Sequence, residues 1–166
     1  MTTVTYRPTA AGTYTNVASG DTPHWDAVNE VSADDNTTYI STSSASYQVD
    51  TYNFANPTQT GTINSITLYF RCAAATGTDY GKAAIYVGST LYYGSEEAVT
   101  TSWTTKSKTW TTNPATSSAW SWSDLNSLEI GVALKKGSAV VMCTQVYLVI
   151  DYTATTGGSY AVVLGL

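Results

Sequence analysis

The sequence predicts a single all-β domain, an antiparallel β-sandwich of jelly-roll type with a short helical turn and extended terminal arms. Apolar and polar residues alternate along many short segments, and Gly, Pro and Asn separate these segments at intervals of roughly ten residues. Charged residues make up only 11% of the chain, whereas aromatic residues make up 12%. The length of 166 residues suits one domain. Alternation of this kind is typical of strands that bury one face.

Two long apolar segments are the predicted centre of the core. In residues 63–75, one face carries apolar residues: Ile66, Leu68, Phe70, Cys72 and Ala74. In residues 139–152, the more apolar alternate set is Val140, Met142, Thr144, Val146, Leu148, Ile150 and Tyr152. Each segment contains one cysteine, Cys72 or Cys143. Two buried free thiols are the favoured interpretation, and a disulfide between the strands is the alternative.

The shorter elements fill the rest of the chain. Strands are predicted at 37–42, 47–55, 82–87, 90–93, 98–101, 103–112 and 128–135. Gly88 and Ser89 have the composition of a two-residue hairpin loop, and Ser123 is the predicted N-cap of a helical turn. Residues 1–19 are expected to form an N-terminal arm or edge strand, 20–153 the sandwich, and 154–166 a Gly-Gly linker with an apolar arm.

The charge balance and hydropathy argue against two classes of partner. The formal net charge is −5, and no Lys/Arg cluster is present that could displace counterions from a nucleic acid. No segment has the roughly 20 apolar residues of a membrane span. The N-terminal residues lack the basic and apolar regions of a secretory signal, so we expect synthesis in the cytoplasm without export.

Catalytic and cofactor chemistry are not expected. The single histidine, His24, lies in a turn-rich loop, where a loop-stabilising hydrogen bond is favoured over a general base. Glu96 and Glu97 are adjacent, so in an extended chain they point to opposite faces and cannot flank one glycosidic bond. No Gly-x-Ser-x-Gly elbow and no Cys/His metal spacing are present.

An acidic turn is the one candidate for a metal site. Asp34, Asp35 and Asn36 could offer oxygen ligands to Ca²⁺, with Asp26 or Glu30 as further donors. The alternative is a turn in which Asp35 or Asn36 caps backbone N–H groups. The spacing matches no defined Ca²⁺ loop, so the turn is favoured.

Aromatic side chains and the C-terminal arm are the candidate interaction residues. Trp103 and Trp110, with Tyr92 and Tyr93, fall on predicted outer strands, where rings can stack on sugars or anchor a protein interface. Trp120 and Trp122 are expected to close one end of the sandwich. The arm contributes Tyr160, Val162, Val163, Leu164 and Leu166. It is expected either to add an edge strand to its own sheet or to pack on a neighbouring subunit.

Several segments in order resemble a family of β-sandwich structural proteins of tailed bacteriophages and prophages. They are His-Trp-Asp-Ala-Val-Asn-Glu (24–30), Asp-Asp-Asn-Thr-Thr-Tyr (34–39), Asp-Thr-Tyr-Asn-Phe (50–54), 61–71, 110–116 and 144–152. The resemblance implies a non-catalytic virion protein, either a capsid decoration or a fibre-like accessory protein. Such a protein would bind capsid or tail subunits and itself. The alternative is a carbohydrate-binding β-sandwich that uses surface Tyr and Trp.

Overall fold

The computed structural model describes residues 2–155, which form two six-stranded antiparallel sheets packed as a sandwich. The strands are β1 (Thr2–Tyr6), β2 (Ala10–Thr15), β3 (Ser19–Gly20), β4 (Ile40–Thr42), β5 (Gln48–Asn53), β6 (Gly61–Ala74), β7 (Asp79–Val87), β8 (Thr90–Tyr93), β9 (Glu97–Val99), β10 (Thr104–Trp110), β11 (Glu129–Lys135) and β12 (Val141–Ala154). A 3-10 turn spans Asp26–Val28, and helix α1 spans Trp122–Leu125. The predicted antiparallel β-sandwich is confirmed.

The strand order explains why β6 and β12 are the most apolar segments. Sheet A has the order β10-β6-β12-β4-β3, with β1 also paired to β12, and sheet B has the order β2-β5-β11-β7-β8, with β9 also paired to β7. Both β6 and β12 are therefore interior strands. The fully buried side chains of sheet A include Ile66, Leu68, Phe70, Val146, Leu148 and Ile150. The same cluster contains Ile130, Val132 and Leu134 of β11.

A β-bulge in β12 corrects the predicted face of that strand. The register against β6 shifts between Cys143 and Gln145, so Thr144 is an extra residue. An extra residue reverses the alternation. Before the bulge the core side is Val141 and Cys143, and after it the core side begins at Val146. The predicted inward set is correct for Val146, Leu148 and Ile150 and wrong for Val140 and Met142.

The two cysteines lie directly opposite each other on neighbouring strands. Cys72 and Cys143 are partners in the register of β6 and β12, and both thiols are free and fully buried. Burial raises the pKa of Cys72 to about 12. Burial also raises the pKa of Cys143 well above its usual value. Both sulfurs are therefore protonated near neutral pH.

We expect neither thiol to react with a maleimide while the protein is folded, because the thiolate is the nucleophile and both sulfurs are shielded. Intact mass measured after labelling in buffer should show no addition. The same reaction in denaturant should add two labels. Rapid labelling of either cysteine in buffer would contradict the burial described here.

The N-terminal segment supplies an edge strand to each sheet. Strand β1 pairs with the C-terminal half of β12, and β2 pairs with β5. The chain crosses between the sheets at Arg7–Thr9. The C-terminal arm predicted at 154–166, including Tyr160, Val162, Val163, Leu164 and Leu166, lies outside the described residues from 156 onward. Within residues 2–155 no helix is long and apolar enough to cross a membrane.

Two local turn predictions have different outcomes. Gly88 and Ser89 both have positive φ, at 58° and 63°, as a two-residue hairpin with a type I′ turn requires, so that prediction is confirmed. The N-cap of α1 is Ser121 rather than Ser123. Ser121 and Asp124 form a reciprocal capping box, in which each side chain bonds the other's backbone N–H.

Candidate functional site

Small side chains form the floor of the outer face of sheet B. Gly131 of β11 lies between Ala84 of β7 and Thr51 of β5, and Ala133 lies between Lys82 and Val49. Val49, Ala84 and Ala133 are buried although they point away from the main core. Tyr14, Tyr47 and Leu91 pack against these three residues. The face therefore has a low apolar floor with taller aromatic side chains around it.

A cavity opens on this face, and we call it the sheet B cavity. Its volume is about 150 Å³, and it is lined by Tyr47, Lys82 and Tyr93. Tyr93, the last residue of β8, is 44% exposed. Its ring is a large aromatic surface that contacts solvent beside the cavity. The cavity exists because the residues between the walls are Gly, Ala and Val.

Two lysines hold the ring of Tyr47 in place. The ammonium of Lys82 lies 4.3 Å from the centre of that ring, and the ammonium of Lys135 lies 4.8 Å from it. Lys135 is also 4.6 Å from the centre of the Tyr80 ring. Both distances to Tyr47 are within the range of cation–π attraction. Because both lysines contact the ring of Tyr47, the exposed ring of Tyr93 is the one in the cavity wall that is free to contact a ligand.

Glu96 forms hydrogen bonds with both Tyr47 and Lys135. Its Oε2 accepts a hydrogen bond from the Tyr47 hydroxyl at 2.6 Å and one from Lys135 Nζ at 3.0 Å. These bonds lower the pKa of Glu96. Burial, and then the bond to Glu96, raises the pKa of Tyr47. The phenol is therefore a neutral donor, and the Lys135 charge is compensated by Glu96.

The outer face of sheet A carries a different aromatic arrangement. The rings of Tyr69 and Tyr147 stack at 4.9 Å with an angle of 8° between their planes. The guanidinium of Arg7 lies 5.0 Å from the centre of the Tyr147 ring. Tyr147 is therefore covered on both sides, by Arg7 and by Tyr69, and it offers a solvent-facing partner less ring surface than Tyr93 does.

The three candidate Ca²⁺ ligands lie on the loop before β4, and each bonds different partners. Asp34 accepts bonds from Thr38 and Thr144. Arg71 donates two hydrogen bonds to Asp35, at 2.6 and 2.8 Å, and these lower the pKa of that carboxyl. Asn36 accepts from the Trp103 indole at 3.1 Å.

The capping residue of this turn differs from the prediction, because Asp34 Oδ1 accepts the backbone N–H of Thr38 at 3.3 Å, whereas the side chains of Asp35 and Asn36 bond the side chains of Arg71 and Trp103. In residues 2–155 no group of three His, Cys, Asp or Glu side chains is placed to hold a metal ion. The loop is instead tied to sheet A through its own carboxylate and amide oxygens.

The two tryptophans selected from the sequence are in unlike environments. Trp103 points outward and is partly exposed, with its indole bonded to Asn36. Trp110 is only 8% exposed and belongs to the main core, and the Trp120 indole donates to its carbonyl at 3.2 Å. The expectation that Trp110 presents its ring to a partner is corrected, because its side of β10 faces the interior.

His24 stabilises a loop, as the sequence indicated. Its Nδ1 lies 2.6 Å from Oδ2 of Asp50, a fully buried carboxylate. Asp50 also accepts the backbone N–H of Val17 at 2.9 Å. The pair joins the loop before β4 to sheet B, which gives the histidine a structural role.

Sequence reasoning included Tyr93 among the aromatic candidates but missed Tyr47 and Lys82. Tyr47 directly precedes β5 and Lys82 lies on β7, so only the pairing of both strands with β11 brings them together. The available signal was the small outward set of β11, Gly131 and Ala133, which differs from the bulky set on its inward side. Small residues on a sheet face mark a place where a ligand can approach the backbone.

Comparisons with known proteins find matches among solved structures. No family model and no curated protein matches the chain. Among solved structures, the chain is similar to CBM35 from Paenibacillus barcinonensis, with 19% identity, a TM-score of 0.44, and coverage of 93% of this chain and 100% of that one. It is also similar to a CBM4 structure, with 14% identity, a TM-score of 0.46, and coverage of 91% and 94%.

Proposed function

We propose that this protein is a non-catalytic carbohydrate-binding β-sandwich and that the sheet B cavity is its binding site. The observation that carries the proposal is the open cavity of about 150 Å³ lined by Tyr47, Lys82 and Tyr93 above a floor of Gly, Ala and Val. Ligand sites typically combine apolar and aromatic walls with a few placed polar groups. The exposed ring of Tyr93 can cover the C–H face of a sugar, while Lys82 can bond its oxygens.

The charge of the protein and the state of Glu96 favour this class over two others. A net charge of −5 opposes binding to a phosphate backbone. Glycosidic hydrolysis by the usual route needs two carboxyl groups on either side of the bond. Glu96 instead accepts hydrogen bonds from Tyr47 and Lys135, which hold it as part of the wall.

Tyr93→Ala tests the proposal. We expect the affinity for a bound oligosaccharide to fall about tenfold or more, because an aromatic stacking surface is lost. The ligand is first found on a glycan array, and affinities are then measured by calorimetry. Tyr69→Ala, on the opposite outer face, is the matched control and should bind as the wild type does. Equal affinity for Tyr93→Ala and wild type would contradict the site, and no binding above background on the array would overturn the function.

The virion role implied by the resemblance stays a second prediction. Its specific support is the order of the segments quoted above. These fall on the 3-10 turn and loop before β4, on strands β5, β6 and β12, and on the end of β10 with the turn after it. The described residues do not include the arm through which self-association was expected. Immunogold imaging of virions from a host that carries the gene would test it, and label confined to the host cytoplasm would contradict it.

A further inference from the structure

We propose that the sheet B cavity selects an anionic saccharide, one that carries a carboxylate or a sulfate, and that Lys82 is the residue that recognises the charge. This inference rests on the proposed carbohydrate-binding function and narrows its ligand class.

Lys82 is an ammonium without an ionic partner among residues 2–155. The ion pairs in this part of the chain join His24 to Asp50, Arg71 to Asp35 and Lys135 to Glu96. Arg7, Lys106, Lys108 and Lys136 likewise form no ion pair in residues 2–155, and Lys82 differs from them because it lines the sheet B cavity. The group around the Tyr47 ring, formed by Lys82, Lys135 and Glu96, therefore carries a net charge of about +1.

The surroundings of Lys82 orient its charge and offset it only in part. The ammonium lies 4.3 Å from the centre of the Tyr47 ring, and an aromatic ring attracts a cation but leaves its charge in place. Lys82 lies opposite Ala133 in the register with β11, so its neighbour on that strand is small. Glu96 is hydrogen-bonded to Tyr47 and Lys135, and it lies near enough to Lys82 for that lysine to help lower its pKa, but it forms no ion pair with Lys82.

The position of Lys82 beside Tyr93 suits a ligand that has both a sugar ring and an acidic substituent. The same cavity is lined by Tyr93 and Lys82, so a sugar ring that lies on Tyr93 brings its substituents within reach of the ammonium. Hydrogen bonds between an ammonium and an ionised acceptor are shorter and stronger than those between neutral groups. An acidic substituent therefore gains more from this site than a hydroxyl does.

Calorimetry with three sets of oligosaccharides of matched length tests the inference. One set is neutral, one contains uronic acids and one is sulfated, and each is titrated into wild type, Lys82→Met and Lys106→Met. Lys106 lies on β10 of sheet A and is the matched control. We expect wild type to bind one of the acidic sets, with affinity that falls as salt is added. Lys82→Met should lower that affinity about tenfold or more, and Lys106→Met should leave it unchanged.

The outcomes separate this inference from the function on which it rests. Binding of uronates or of sulfated sugars identifies which acid the site takes, and either one supports the inference. Binding of the neutral set that depends on Tyr93 and is unaffected by Lys82→Met would overturn the inference and leave the proposed function standing. Binding of none of the three sets would overturn both. Circular dichroism of each variant verifies that it is folded.

Discussion

Asp79→Ala is expected to lower the free energy of unfolding by about 3 kcal/mol, because a buried acceptor of three backbone N–H groups is lost. Asp79 is fully buried, and its Oδ1 accepts the backbone N–H groups of Gly137, Ser138 and Ala139 at 2.8, 2.7 and 3.1 Å. These residues form the turn between β11 and β12, which connects the two sheets. Without the carboxylate, three N–H groups lose their acceptor. Urea unfolding followed by tryptophan fluorescence measures the change.

Two variants make the test of Asp79 specific. Asp79→Asn keeps an oxygen for the three N–H groups and removes the buried charge, so we expect it to retain most of the stability. Asp151→Ala, at a partly exposed carboxylate bonded to Asn64, should change stability by less than about 1 kcal/mol. A loss for Asp79→Asn as large as that for Asp79→Ala would show that the oxygen acceptor is not the stabilising feature.

Glu129→Ala is expected to cost about 2–3 kcal/mol and to release β2 from sheet B. Glu129 is 9% exposed and accepts the backbone N–H of Thr13 at 2.8 Å, the Thr13 hydroxyl at 2.7 Å and the Thr51 hydroxyl. The register between β2 and β5 is interrupted between Ala11 and Thr15. The carboxylate therefore supplies an acceptor where the backbone ladder is broken.

The same substitution should weaken ligand binding without touching the ligand. Tyr14 of β2 packs against the floor of the sheet B cavity. If β2 loosens, the cavity floor loses the packing that Tyr14 provides. Hydrogen exchange should show faster exchange at residues 10–15 in Glu129→Ala, whereas Glu129→Gln, which keeps one oxygen acceptor, should exchange more slowly than the alanine variant. Unchanged exchange at 10–15 in Glu129→Ala would contradict this role of the carboxylate.

Much of the fold follows from local patterns in the sequence. The alternation over 63–75 and 128–135 predicted β6 and β11 because one side of each strand is continuously apolar. The Gly88–Ser89 hairpin followed from backbone preference alone. The bulge at Thr144 could not be predicted from the sequence. Both alternate sets of residues in 139–152 contain apolar side chains, so exchanging the inward and outward sets does not change the apolar pattern visibly.

The site was harder to predict because it depends on which strands pair. Tyr47, Lys82 and Tyr93 come from three parts of the chain, and only the registers of β5, β7, β8 and β11 bring them to one cavity. Trp110 was misplaced for a related reason. It shares a side of β10 with Lys106 and Lys108, which indicated solvent, yet at a sheet edge lysine stems can follow the interior side while their charges reach water.

The location of ligand binding is the most direct test of the account. A titration of ¹⁵N-labelled protein with the oligosaccharide found on the array would report which backbone amides change their chemical shifts. We predict changes at Tyr47, Lys82, Tyr93 and Ala133 on the outer face of sheet B, with the amide of Tyr69 on the outer face of sheet A unchanged. Shifts centred on Tyr69 and its neighbours, with none around Tyr93, would contradict the central claim.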